Sequence, residues 1–184
     1  MSLMQLAGDF LQQSGIPRPN VALLVSLGLV FGAQQLVPAY TANLKNWYPK
    51  LRKPRWTPPN WMFPAIWIPL KFMQVAAIWL IWEKKGSPLL RDDWHLTGPA
   101  LPFAIFLVHL ALGDIWNVSF FGHQQLKPSL PWMGAFWLSI LGCIITFRPI
   151  SLMASNLMLP TIAWVSIAAK LNWDIVQLNS SKSA

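Results

Sequence analysis

The chain has 184 residues, 54% of them hydrophobic and 11% charged, with a formal charge of +8. Soluble domains carry roughly 25% charged residues, so this composition cannot clothe a water-facing surface. The basic excess does not mark a nucleic-acid binder, because five of the 14 basic residues, Lys45, Lys50, Arg52, Lys53 and Arg55, crowd beside an apolar run, where lipid head groups and topology use them.

Twelve Trp fit a bilayer better than a soluble core, since the indole ring sits where one side is apolar and the other wet. The one cysteine, Cys143, lies inside an apolar run, so no intrachain disulfide and no zinc spacing exist.

A helix needs ~20 mostly apolar residues to cross ~30 Å of hydrocarbon. Residues 1–20 lack a signal-peptide pattern. They read as a tail or a short interfacial helix, with Leu3, Leu6, Ala7, Phe10 and Leu11 on one face. The first span starts at Val21 and reaches about Val37. The second runs from Trp61 to Trp82, with Lys71 near its middle. A polar loop over 83–98 leads to the third span, Pro99 to Phe121, which carries His109 and Asp114. A loop over 122–130 precedes the fourth, Pro131 to Phe147. The fifth runs from about Ser151 to Asp174, and 179–184 form a polar tail. The expected fold is therefore an all-α membrane protein, one five-transmembrane-helix bundle over 21–178 with short loops and antiparallel neighbours. Pro64, Pro69, Pro102 and Pro160 should kink spans and free carbonyls that need internal partners. Lys and Arg favour the side of the first loop and the C-terminus by seven to five, which leans toward a cytosolic C-terminus.

The stretch Trp47-Tyr48-Pro49-Lys50-Leu51-Arg52-Lys53-Pro54-Arg55-Trp56-Thr57-Pro58-Pro59 holds four prolines, so it is a semi-rigid loop. Its aromatic and cationic side chains suit either a flat, partly anionic ligand or an anchor at the head groups. In the second span Lys71 follows Trp67 by one turn and shares its face. A charge at that depth needs a partner or a cavity. Two solutions stand: an internal ion pair with Asp114, or contact between Lys71 and a ligand carboxylate. His109, Gly113, Trp116 and Phe120 fall on one face of the third span. There His109 is either a hydrogen-bonded packing residue or an axial ligand for a tetrapyrrole metal, and Gly113 makes room for a ring or for a neighbouring helix. Gly28 and Gly32 offer a close-contact face for a homodimer, and Lys170 and Asp174 are spaced to pair on the fifth span.

The run Trp-Tyr-x-x-Leu-x-Lys-Pro-x-Trp-x-Pro-Pro over 47–59 resembles the signature of the translocator protein or tryptophan-rich sensory protein family (TspO/MBR). The likeness continues through Phe63-Pro64 and Trp67, through Leu110-Ala111-Leu112, Trp116 and Phe120-Phe121-Gly122, and through Pro160, Trp164, Ala168, Leu171-Asn172 and Leu178-Asn179. The resemblance implies a five-helix bundle, often dimeric, with a pocket closed by the first loop that binds porphyrins and other tetrapyrroles, or sterols and drug-like ring compounds. It implies that Trp47, Trp56, Pro58, Pro59, Phe63, Trp67, Trp116, Trp164 and Asn172 lie near that pocket. Lys71, His109, Gly113, Asp114, Val118, Thr161 and Lys170 depart from the family's usual residues.

The ligand-site residues are thus Trp47, Trp56, Pro58, Pro59, Phe63, Trp67, Lys71, His109, Asp114, Trp116, Trp164 and Asn172, with no catalytic group, no metal site and no obligatory cofactor. Three functions follow. The first is a membrane receptor or carrier for a hydrophobic ring ligand such as a porphyrin, haem or a sterol-like lipid. The second is a structural or regulatory subunit whose pocket Lys71 and Asp114 close, and the third is an enzyme that degrades porphyrin in light. The bilayer and a hydrophobic small molecule are the expected partners, with a homodimer as a further option and nucleic acid excluded.

Overall fold

The computed structural model describes residues 20–32, 46–85 and 100–180. Readings that fall on 1–19, 33–45, 86–99 and 181–184 lie outside these residues, including the N-terminal helix, the far end of the first span and the polar tail beyond Ser180. The described residues form helices and loops only. The helices are α1 (Val21–Gly32), α2 (Met62–Lys85), α3 (Ala100–Gly122), α4 (Leu126–Phe147) and α5 (Leu152–Ser180). The last four are long and apolar enough to cross a membrane, and α1 is a shorter apolar helix. The protein is an integral, multi-pass membrane protein built as a five-helix bundle.

α1 starts where Asn20 caps it, its Oδ1 accepting from the Leu23 N–H at 3.2 Å. The same side chain donates to Glu83 Oε1 at 2.6 Å and accepts from Trp79 Nε1 at 3.3 Å. One residue therefore sets the start of α1 and ties it to the end of α2. Pro128 and Pro131 do not delay α4, which begins at Leu126 rather than at the Pro131 expected from sequence. A first-turn proline gives up a donor that has no helical partner anyway, so Pro128 fits there without loss. α5 runs on to Ser180, so Asn179 and Ser180 are helical rather than part of a polar tail.

α4 packs against α3 and α5, while α2 packs against α1 and α5. The shared interior is closed by Ile78, Ile81, Phe106, Ile140, Phe147, Met158 and Ile175, all essentially inaccessible. Outward faces carry Ile68, Phe72, Leu107, Val108, Leu138, Ile145 and Ile167, an apolar surface suited to a bilayer. Exposed Trp56, Trp61, Trp132 and Trp173 gather toward the first-loop end, as an interfacial belt does.

Candidate functional site beneath the first loop

The loop over 46–61 folds back over one end of the bundle. Its 3-10 turn, Tyr48–Lys50, buries the Tyr48 ring to 5% exposure. Tyr48 meets Phe120 and Phe121 edge-on at 6.3 and 5.8 Å, and Trp47 meets Phe120 at 5.6 Å. Lys53 stands 4.5 Å above the Tyr48 ring and donates to the Tyr48 carbonyl at 2.7 Å. Burial lowers the Lys53 pKa and raises that of the Tyr48 hydroxyl.

Two sets of bonds hold this lid to α5. Asn179 receives the Arg52 N–H on Oδ1 at 3.1 Å and donates from Nδ2 to the Arg52 carbonyl at 2.9 Å, closing a two-point clamp on one loop residue. Trp56 Nε1 donates to Asp174 Oδ2 at 3.1 Å. Lys170, paired with Asp174 as the spacing required, lies 5.8 Å over the Trp56 ring. The clamp went unread because a terminal Asn after a span looks like a tail residue. The only cue in the sequence was its place in the final Leu178-Asn179 pair.

Under the lid the walls are aromatic. Trp116 stacks on Phe120 at 5.9 Å and 21° and meets Phe121 edge-on, while Phe63 meets Trp164 at 5.8 Å. α3 reaches this end through a π turn over Val118–Gly122, where the backbone widens, and Ser119 and Phe120 are buried within it. Among the described residues, three buried polar side-chain atoms have no hydrogen-bond partner: Trp116 Nε1 and Ser119 Oγ on α3, and Trp164 Nε1 on α5. Ser119 was not singled out from sequence, since a lone serine in an apolar span looks ordinary until its neighbours are known.

The remaining expected residues separate. Trp67 is half-buried against the core, Pro58 is half-buried and Pro59 exposed. Trp56 sits outside the interior, 44% exposed on its α5 latch. Asn172 is buried in the α4–α5 seam, where its Nδ2 donates to Ser129 Oγ at 3.1 Å and Ser129 donates on to the Leu126 carbonyl. His109 faces α4, stacked on Phe136 at 5.1 Å and 13°, with Nδ1 3.4 Å from Ser139 Oγ. Gly113 makes that contact fit, because a Cβ there would come within 3.0 Å of the Phe136 ring. Of the two readings of His109 the geometry displays hydrogen-bonded packing, and of the two for Gly113 close helix contact.

Lys71 and Asp114 are half-buried and feel each other's charge, yet they do not come within 4 Å. The ion pair among the described residues is Lys170–Asp174. The direct Lys71–Asp114 ion pair expected as one option from sequence is therefore not formed. A separate open groove of about 440 Å³ lies on the outer face between α2 and α5, lined by Met73, Leu152, Met153, Asn156, Leu157 and Pro160. Among the described residues no three His, Cys, Asp or Glu side chains gather as metal ligands.

Fold and site together define a polytopic helical membrane protein whose first loop is latched to α5 over a cluster of aromatic side chains. The family model described as the TspO/MBR family matches residues 21–178, and the chain belongs to that family. It is 31% identical over 160 residues to the tryptophan-rich protein TspO of Chlorobaculum tepidum, covering 86% of this chain and 96% of that protein. It is also 31% identical over 157 residues to the tryptophan-rich sensory protein of Cereibacter sphaeroides, covering 84% and 92%. Against the translocator protein of Bos taurus it is 28% identical over 165 residues, covering 89% and 90%.

Proposed function

We propose that the chain is a membrane receptor that takes a hydrophobic ring ligand, a tetrapyrrole such as a porphyrin, into the space between helices beneath the first loop. The observation that carries this reading is the set of unpaired donors at Trp116 Nε1, Trp164 Nε1 and Ser119 Oγ. A buried donor without an acceptor costs about 1–3 kcal/mol, and native interiors hold few of them. Two indole N–H groups and a hydroxyl in an aromatic chamber are complementary to a flat ligand whose rim carries oxygen acceptors. The rings of Trp47, Phe63, Trp116 and Phe120 supply stacking surface, and the lid keeps water out. The names of the relatives, sensory and translocator, are consistent with a protein that detects or passes on such a ligand.

The test is a titration of detergent-purified protein with protoporphyrin IX, followed by Trp quenching and by the Soret band. Saturable one-site binding is expected. Trp116→Phe and Trp164→Phe should each weaken it by about 10-fold or more, the worth of one hydrogen bond to a charged acceptor. Saturable binding that ignores both substitutions would remove the interior from the site. An illuminated parallel sample with an altered pigment spectrum would add turnover to binding. Absence of binding, with co-purification in a larger assembly, would point to the subunit function instead.

A further inference from the structure

The lid end of the bundle carries more positive charge than its latches use. Lys50, Arg52, Lys53 and Arg55 lie in the lid itself, Lys127 stands on the first turn of α4, and Lys170 lies over Trp56 from α5. Asp174 is the one carboxylate at that end among the described residues, and Lys170 and Trp56 already occupy it. Asp114 lies about two turns deeper on α3. The flanking segments 33–45 and 181–184 contain no Asp or Glu. Lys53 donates to the Tyr48 carbonyl at 2.7 Å. That leaves Lys50, Arg52, Arg55 and Lys127, all exposed and none with a side-chain hydrogen bond or ion pair among the described residues.

The fold holds these charges in place through their neighbours. The Asn179 clamp takes both backbone groups of Arg52, at 3.1 and 2.9 Å, which fixes the residue and leaves its side chain exposed. Trp56, next to Arg55, is fixed on Asp174 at 3.1 Å, and Pro49 and Pro54 stiffen the chain between the cations. The exposed rings of Trp56, Trp61, Trp132 and Trp173 mark this end as the head-group level. At the opposite end Glu83 accompanies Lys84, Lys85 and Arg148, so the unpartnered excess belongs to the lid. Four unpaired cations at one surface repel one another, and they match a layer of phosphate groups, to which Arg offers a planar fork and Lys a point charge.

We infer that the lid is a docking surface for anionic phospholipid, whose head groups bind Lys50, Arg52, Arg55 and Lys127 in the leaflet that the Trp belt marks. A soluble anion would gain the charge contacts alone. A phospholipid also covers outward apolar residues such as Leu138 and Ile167 with its chains. Docking of lipid here is independent of any ligand in the interior.

The experiment reconstitutes the full-length protein into nanodiscs of phosphatidylcholine and phosphatidylglycerol, with brominated acyl chains on one lipid or the other. Quenching of Trp fluorescence then reports which lipid lies against the protein. Each Lys or Arg at the head-group level adds about fivefold to the binding of anionic lipid. Phosphatidylglycerol should therefore be preferred by about fivefold or more, and the preference should fall in 1 M KCl, where the Debye length is about 3 Å. Lys50→Gln/Arg52→Gln/Arg55→Gln/Lys127→Gln should bring the preference to within about twofold of unity. The milder Lys50→Gln/Lys127→Gln, which spares the clamped Arg52, should lose about half of it on a logarithmic scale. Lys84→Gln/Lys85→Gln/Arg148→Gln, at the other end, should keep it. Equal quenching by the two lipids in the unsubstituted protein would overturn the inference. So would a preference that survives the four lid-end substitutions or disappears with the three distal ones. Inorganic phosphate, at the ionic strength of the KCl sample, should displace no more anionic lipid than chloride does. Selective displacement by phosphate would make this a soluble-anion site and overturn the assignment to lipid.

Discussion

Replacing Asn179 with Ala should unlatch the lid without touching the aromatic interior. The substitution removes both bonds to Arg52, at 3.1 and 2.9 Å. Both sit at a half-exposed surface, so each contributes about 1 kcal/mol at most, and the pair about 1–2 kcal/mol. That shifts the closed-to-open ratio of the loop by about 5- to 30-fold. Trypsin reads the shift directly, because the loop offers cleavage after Lys50, Arg52 and Arg55. When opening is fast relative to cleavage, the cleavage rate follows the open population. Asn179→Ala should therefore be cut at these bonds about 5- to 30-fold faster than the parent protein, while cleavage elsewhere stays constant. Asn179→Gln, which moves the amide one methylene out of register with Arg52, should also be cut faster. Rates equal within twofold in both variants would mean that the clamp does not hold the lid.

Gly113→Val should overpack the α3–α4 seam, since even a Cβ there reaches 3.0 Å from the Phe136 ring. The expected cost is about 1–3 kcal/mol, seen as a lower Tm in detergent and partly recovered by Phe136→Leu. Ser129→Ala should cost about 1–3 kcal/mol, because it strands the buried Asn172 amide. Adding Asn172→Leu should return part of that loss by removing the stranded group. Lid closure should also depend on alkaline pH. Lys53 has a lowered pKa when docked, so the open loop binds more protons and closure strengthens as pH rises toward 10.5. Tyr48 has a raised pKa when docked, so closure weakens as pH climbs above 10.0, and Tyr48→Phe should abolish that weakening in a Trp-fluorescence assay of loop docking.

Most of the architecture was legible because the bilayer sets one length and one composition for every span. Four runs rich in Leu, Ile, Phe and Trp were legible as spans, α2 and α3 to within a few residues at both ends, and α1 starts at Val21 as read, its far end lying outside the described residues. The boundaries slipped at α4 and α5. Pro128 looked like a loop residue although a helix tolerates proline in its first turn, and Asn179 looked like a tail residue although its amide caps a loop. The aromatic walls were legible as residue types, yet which rings meet was not. Trp56 and Trp47 lie nine residues apart in one loop, and only the fold sends the first to α5 and the second to Phe120. The depth of Lys71 and Asp114 followed from counting residues along the spans. Their separation did not, since it depends on helix rotation, which apolar periodicity fixes poorly when helices are apolar on both faces.

The central claim is that the unpaired indole N–H groups of Trp116 and Trp164 await acceptors on a ring ligand. It is tested most directly by the 15N-indole spectrum of labelled protein, with both signals assigned through Trp116→Phe and Trp164→Phe. On saturation with protoporphyrin IX these two N–H resonances should move downfield together, as newly formed hydrogen bonds require, while that of exposed Trp132 stays in place. Saturation that leaves both resonances where they were would contradict a ligand seated between α3 and α5.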